Sequence, residues 1–421
     1  MYHLDPPALY ACERALDHPA SARRIERMLG GLGRTLDAAV PVRDDDIPEL
    51  IRSHQWQHAR RRQGTVAEHR DPALVFATLR FDQAPPIRPV LERCPPGTSS
   101  GLVGNLLGHG GLNQHTEAHD SGRVCRCRYQ FDTLYGCPHG CAYCRGGTVS
   151  VVFTNLEQFV ERQVIPIAEA NRWQKVFMFN SSLSDTLCFE PEYGLSELLA
   201  RTYASTPDQH YLIHTKSANV DFLTRLDHQG HTIVLWSLTS ATVSRVVEPG
   251  SATTEERVAA ARRCQEAGYT VRYKLKPIVP VRGWRDECAR MIELAFAHTR
   301  PDNVGMCMVA WMPADELEAC IDPELLDPWA RRAMETSADA MRGVTPGPFP
   351  HEVRAEVYGF CLDEIRRHDA DVPVFLCTES PAMWHEFAER LGTDAGSYVC
   401  GCGPQSPPGA RRLERLLAPK A

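Results

Sequence analysis

From about residue 125 onward, short apolar runs alternate with stretches of helical periodicity. Runs at Tyr129–Tyr135, Lys175–Asn180, Tyr211–Thr215, Thr232–Leu238, Thr270–Pro277 and Val304–Ala310 read as buried strands. The stretches between them, Leu156–Asn171, Leu195–Tyr203, Val220–Leu226, Thr254–Ala267 and Asp286–His298, read as helices. This alternation predicts a parallel sheet with covering helices. Six such units predict an α/β fold built on a partial (β/α)6 barrel, smaller than the closed eight-unit form. A helix near 351–368, a short strand at Val374–Cys377 and a helix at 381–391 then follow.

Upstream the pattern changes. Residues 1–93 are rich in charge and carry helical patterns such as Ala22–Leu29 and Ile47–Arg61. Residues 94–124 are dense in glycine and proline and read as a linker. The expected organisation is therefore a helical N-terminal region (1–93), a linker (94–124), the barrel (125–345) and a C-terminal α/β extension with a cysteine-containing tail (346–421). The run Arg60-Arg61-Arg62 reads as a solvated helix face rather than a phosphate contact.

Composition narrows the classes. The 421 residues are 43% hydrophobic and 24% charged, an ordinary globular profile. No apolar run reaches the roughly 18 residues of a membrane span. The N-terminus has no basic segment followed by an apolar one, so a cytoplasmic protein without a membrane partner is expected. The net charge of −7 disfavours a protein built around a nucleic-acid backbone. Sixteen cysteines without an export signal point to metal or redox chemistry.

The chemistry concentrates in Cys137-Pro138-His139-Gly140-Cys141-Ala142-Tyr143-Cys144. Pro138 and Gly140 make this segment a loop, and a loop can wrap three thiolates around an iron–sulfur cube. A [4Fe–4S] cluster ordinarily takes four cysteines, so three leave one iron open to an exogenous chelator. Zinc prefers four closed ligands, which this loop does not supply. The loop follows the first predicted strand, at the carboxyl end where barrel sites form.

This loop resembles that of the radical S-adenosylmethionine (SAM) superfamily. From Tyr129 to about Glu389 the chain resembles the spore photoproduct lyases and the related DNA repair photolyase group. The residues that carry the resemblance are Gly136 to Cys144, Ser182-Leu-Ser-Asp185, Thr215-Lys216, Trp236-Ser237-Leu-Thr239, Val247-Glu-Pro-Gly250, Glu255-Glu-Arg257, Lys276-Pro-Ile278 and Leu376-Cys-Thr-Glu-Ser-Pro381. The resemblance implies a [4Fe–4S] cluster on Cys137, Cys141 and Cys144. It also implies that the cluster cleaves SAM to methionine and a 5′-deoxyadenosyl radical, with electrons from a donor such as flavodoxin or ferredoxin. It places Tyr143 near the adenine, and Ser184, Lys216 and Ser237 on SAM's polar groups.

Two departures matter. Where the lesion-repair enzymes carry a cysteine that returns a hydrogen atom, this chain has Ser182, and a hydroxyl O–H is too strong to substitute. Cys188 is the nearby thiol that could act instead. At the position of a family tyrosine stands Arg145. With the acidic balance, these favour a radical SAM oxidoreductase or lyase acting on a small organic molecule such as a nucleoside or sugar. DNA lesion repair is the alternative, and a non-catalytic iron–sulfur or zinc sensor a second one.

Two C-x-C pairs lie outside the loop: Cys125 and Cys127 before the first strand, and Cys400 and Cys402 in the tail. Together they could ligate an auxiliary Fe–S cluster or zinc. Cys400 and Cys402 alone could act as a catalytic thiol pair. An extended segment 128–136 would put Cys127 roughly 27–30 Å from the loop, at about 3.3 Å per residue. SAM is expected across the barrel's carboxyl end, with substrate between it and the tail.

Overall fold

The computed structural model describes residues 4–66, 71–115, 122–126, 128–180 and 184–413. In chain order its strands are β1 (Leu9–Cys12), β2 (Val40–Val42), β3 (Ala73–Ala77), β4 (Gly111–His115), β5 (Arg128–Asp132), β6 (Leu134–Tyr135), β7 (Val149–Phe153), β8 (Val176–Phe179), β9 (His210–Thr215), β10 (Thr232–Leu238), β11 (Thr270–Ile278), β12 (Val304–Met308) and β13 (Val374–Leu376).

The larger sheet has the order β13-β12-β11-β10-β9-β8-β5-β4. Its strands from β5 to β13 pair in parallel, and antiparallel β4 borders β5. All six expected barrel strands are present, and the run at 374–376 joins as a seventh parallel strand. Helices Leu195–Ala204, Thr254–Glu266 and Trp284–His298 connect them. The helix from Thr254 starts on a capping box: the Thr253 hydroxyl accepts from Glu256 N–H at 3.2 Å, and the Glu256 carboxylate accepts from Thr253 N–H at 2.8 Å. The expected helix at Val220–Leu226 is reduced to a single 3-10 turn, Leu223–Arg225.

The N-terminal region departs from expectation. It is not purely helical: β1, β2 and β3 join β7 and β6 in a second sheet of order β2-β1-β3-β7-β6. The reason is physical. Ala73–Ala77 and Val149–Phe153 are uniformly buried five-residue runs, and such runs do not distinguish strand from helix by period. β7 comes from inside the span assigned to the barrel, so the two layers share that segment. The expected linker is not free either. It holds the helix Ser100–Leu106 and β4, which pairs with β5.

The tail also lies elsewhere than expected. It crosses the amino ends of the barrel strands, where Lys175 N–H and Val176 N–H donate to Pro404 O. Arg272, fully buried, donates to Gly401 O at 2.9 Å and Ser406 O at 2.7 Å and pairs with Asp302 at 2.7 Å. A buried guanidinium needs such acceptors, and the tail's carbonyls provide them. The tail therefore closes the mouth opposite the cysteine loop. Among the described residues no helix is long and apolar enough to cross a membrane.

Candidate functional site

At the carboxyl ends of the strands lies a cavity of about 300 Å3. Cys137, Cys141 and Cys144 line it together with Tyr143, Ser184, Lys216 and Ser237. The loop that carries the thiols is held by close backbone approach. Gly136 has φ of 97°, and a Cβ there would meet Val149 O at 2.3 Å. Gly250 lies against the loop: its N–H donates to His139 O at 2.9 Å, and a Cβ would stand 2.7 Å from that oxygen. Ala142 N–H donates to Val247 O at 2.8 Å.

His139 locks the loop to the barrel. Its Nδ1 sits 3.0 Å from Gly250 O and its Nε2 3.2 Å from Asp185 Oδ2. Burial alone would raise the Asp185 carboxyl, but His139 and the N–H groups of Lys216 and Leu187 outweigh it and hold the group near a pKa of about 2. Asp185 also accepts from the Thr215 hydroxyl at 2.8 Å. It thereby joins the loop to the end of β9.

A second buried carboxylate organises the opposite wall. Glu248, 0% exposed, accepts from Lys216 Nζ at 2.8 Å, Arg257 Nη2 at 2.6 Å and the Thr239 hydroxyl at 3.0 Å, and from the Tyr143 hydroxyl. Tyr143 meets Trp311 edge to face at 5.8 Å. His214 Nε2 lies 3.0 Å from Ser237 Oγ. Burial, with the Lys274 ammonium nearby, pushes the His214 imidazole down to about 3, so it is neutral at physiological pH.

The N-terminal layer contributes to this wall, which sequence reasoning missed. Arg62 is buried, not solvated: it donates to Tyr143 O at 2.7 Å and Trp311 O at 3.2 Å and pairs with Glu316 at 2.7 Å. Arg145 pairs with the same carboxylate. Gln63 N–H and Gly64 N–H donate to Cys144 O and Ala142 O, each at 2.9 Å. No local pattern announces Arg62, because its partners lie 81 to 254 positions away.

The donor chemistry fits an iron–sulfur cluster with a chelating cofactor. Three soft thiols face one cavity, and the Ser184 hydroxyl is buried there without a partner among the described residues. The other candidates lie elsewhere. Cys188 is fully buried behind the loop, in side-chain contact with Cys137, and does not line the cavity. Cys400 and Cys402 enter the barrel from the tail, 3.9 Å apart. Arg128 reaches Cys125 Sγ at 3.5 Å and faces Cys400 and Cys402. Cys127 and Ser182 fall outside the described residues.

Residues 125–306 match the family model described as spore photoproduct lyase. A curated spore photoproduct lyase of Clostridium acetobutylicum is 22% identical over 173 residues, which is 40% of this chain and 51% of the relative. That match thus spans about half of the relative's length. Among solved structures, a spore photoproduct lyase complexed with dinucleoside spore photoproduct superposes with a TM-score of 0.60 at 16% identity, covering 89% of this chain and 99% of that one. A mutant of that lyase with bound AdoMet and dinucleoside spore photoproduct gives 0.59 at 17% identity over the same shares. These likenesses show the α/β fold shared with spore photoproduct lyases.

Proposed function

We propose that this chain, spore photoproduct lyase-like in sequence over 125–306 and in fold over most of its length, is a radical SAM enzyme acting on a dinucleotide lesion. One observation carries the enzyme reading: the three loop thiols share a single cavity with Tyr143, Ser184, Lys216 and Ser237. Cys137, Cys141 and Cys144 would hold the [4Fe–4S] cluster, whose remaining iron would take the amine and carboxylate of SAM. When bound and reduced by a donor such as flavodoxin or ferredoxin, the cluster supplies the electron that splits SAM's sulfonium bond, giving a carbon radical able to take hydrogen from substrate.

The chain's own residues bind, orient and exclude water. Lys216, oriented by Glu248, offers an ammonium to a carboxylate. Ser184 and Ser237 offer hydroxyls, and Tyr143 an aromatic face. The N-terminal segment at Arg62 to Gly64 covers the loop and holds it against the barrel.

The dinucleotide reading draws support from the solved relatives with a dinucleoside photoproduct bound. It also draws on Lys276 at the cavity, with its ammonium 5.4 Å from the Trp311 ring. That pair offers a cation to a phosphodiester and an aromatic face to a base. It displaces the small-molecule substrate expected from overall charge, because local cations rather than net charge meet a ligand. A second reading, a small nucleoside or sugar substrate, is favoured by Ser182 in place of the hydrogen-returning cysteine. The test is 5′-deoxyadenosine formation by reduced protein with SAM, with and without dinucleoside spore photoproduct. Stimulation by the dinucleoside supports the first reading; an unchanged rate rejects it in favour of the second.

A further inference from the structure

The barrel interior below the cavity holds an unusual set of groups. Side chains alternate along a strand, so Lys274 and Lys276 on β11 point the same way. Lys274 pairs in register with Gly305 on β12, and Gly305 with Phe375 on β13. Cys307 follows Gly305 by two positions on the same side of β12, and Cys377 stands one residue past the end of β13. Their thiols are in side-chain contact with each other, and Cys307 Sγ lies 3.5 Å from the Thr378 hydroxyl. From below, the tail adds Cys400 and Cys402, with Sγ atoms 3.9 Å apart. All four cysteines are buried.

Among the described residues, two lysines near them lack carboxylate partners. Lys274 is 3% exposed, and its ammonium bonds Cys402 Sγ at 3.0 Å. Lys276 lies over Trp311 and near Cys307 and Cys377. Among the described residues neither lysine forms an ion pair with an aspartate or glutamate. Buried cations require anionic partners, and sulfur is what surrounds these. A further thiol pair in the molecule gives the contrast. Cys288 and Cys361 touch between two outer helices, but their charged neighbour is the carboxylate of Glu364.

We propose that Cys307, Cys377, Cys400 and Cys402 ligate a second iron–sulfur cluster of the [2Fe–2S] type inside the barrel, with Lys274 and Lys276 as its counter-cations. Two thiolates on one tetrahedral metal, with bonds near 2.3 Å, stand about 3.8 Å apart. The Cys400–Cys402 separation matches one iron, and the Cys307–Cys377 pair supplies the other. A [2Fe–2S] core takes four cysteines, and in the oxidised state the assembly carries a net charge of about −2. Lys274, Lys276 and Arg128, whose guanidinium faces Cys400 and Cys402, supply the opposing charge. Among the described residues no three groups converge on one position for a single ion, so a lone zinc does not fit this set. Cys125, placed with Cys400 and Cys402 on sequence grounds, shares the Arg128 guanidinium with them.

The inference does not require a cluster on Cys137, Cys141 and Cys144, although Lys276 borders both the cavity and this site. Its test is the variant Cys137→Ala/Cys141→Ala/Cys144→Ala, reconstituted anaerobically with iron and sulfide. About two irons and two sulfides per chain are expected, with the Mössbauer and reduced-state EPR signature of a [2Fe–2S] centre. Adding Cys400→Ser/Cys402→Ser should remove that iron. The triple variant alone decides the matter should the tail substitutions prevent folding. A triple variant that binds no iron, binds only zinc, or keeps its iron without Cys400 and Cys402 would overturn the proposal.

Discussion

Glu248 accepts hydrogen bonds from Lys216 Nζ at 2.8 Å and from Arg257 Nη2 at 2.6 Å, so a single fully buried carboxylate holds one cation at the cavity and another in the wall. Glu248→Gln removes that charge and strands Arg257, which is 0% exposed. Breaking a buried pair from one side costs about 3–5 kcal/mol. Denaturant unfolding should show a loss of that size.

The same carboxylate sets a pH dependence. Burial acts to raise its pKa, but Lys216 and Arg257 outweigh burial and hold it at about 2, below the ordinary carboxylate value. A depressed folded pKa stabilises the fold above the unfolded value, and that contribution fades as pH falls towards the folded one. The stability gap between wild type and Glu248→Gln should therefore be constant above about pH 5 and narrow in more acidic solution. Unfolding midpoints measured across that range check it.

Arg62 ties the N-terminal layer to the loop through Tyr143 O and to the wall through Glu316. Hydrogen bonds from a charged group contribute about 1.5–3 kcal/mol each. Arg62→Ala should destabilise the protein by about 2–4 kcal/mol and lower iron retention at the loop. Exposed Arg61→Ala should stay within about 0.5 kcal/mol of wild type. Thermal unfolding and iron content distinguish the two.

These residues mark how far the sequence could be read. The thiol loop was legible because Cys137, Cys141 and Cys144 lie within eight positions and Pro138 and Gly140 fix the chain as a loop. The barrel was legible from alternating runs such as Thr232–Leu238. Arg62, His139 with Asp185, and Glu248 with Arg257 were not assigned roles, because each acts through a partner brought near only by the fold. β1, β2, β3 and β7 were missed because three- to five-residue runs carry too few positions to show a period. The extended-strand estimate for Cys127 assumed one strand, whereas the chain leaves β5 at Asp132 and enters a different sheet at Leu134.

Gly250 touches the loop where no side chain fits. A Cβ would meet His139 O at 2.7 Å and Pro138 O at 2.8 Å. Gly250→Ala should push the loop outward, costing about 1–3 kcal/mol as overpacking does. Reconstituted protein should hold less iron than wild type, measured per folded chain.

Ser184 has a buried hydroxyl at the cavity with no partner among the described residues. Ser184→Ala should leave the free protein's stability within about 0.5 kcal/mol of wild type. A lost hydrogen bond of about 0.5–1.5 kcal/mol should weaken SAM binding roughly twofold to tenfold. Isothermal titration of reconstituted protein reads this directly.

Reductive cleavage of SAM by wild type and by single alanine variants of Cys137, Cys141 and Cys144 tests the central claim most directly. The account predicts methionine and 5′-deoxyadenosine from reduced wild-type protein and none from any of the three variants. Turnover that survives in a variant, or its absence from wild-type protein carrying a full complement of iron and sulfide, would contradict it.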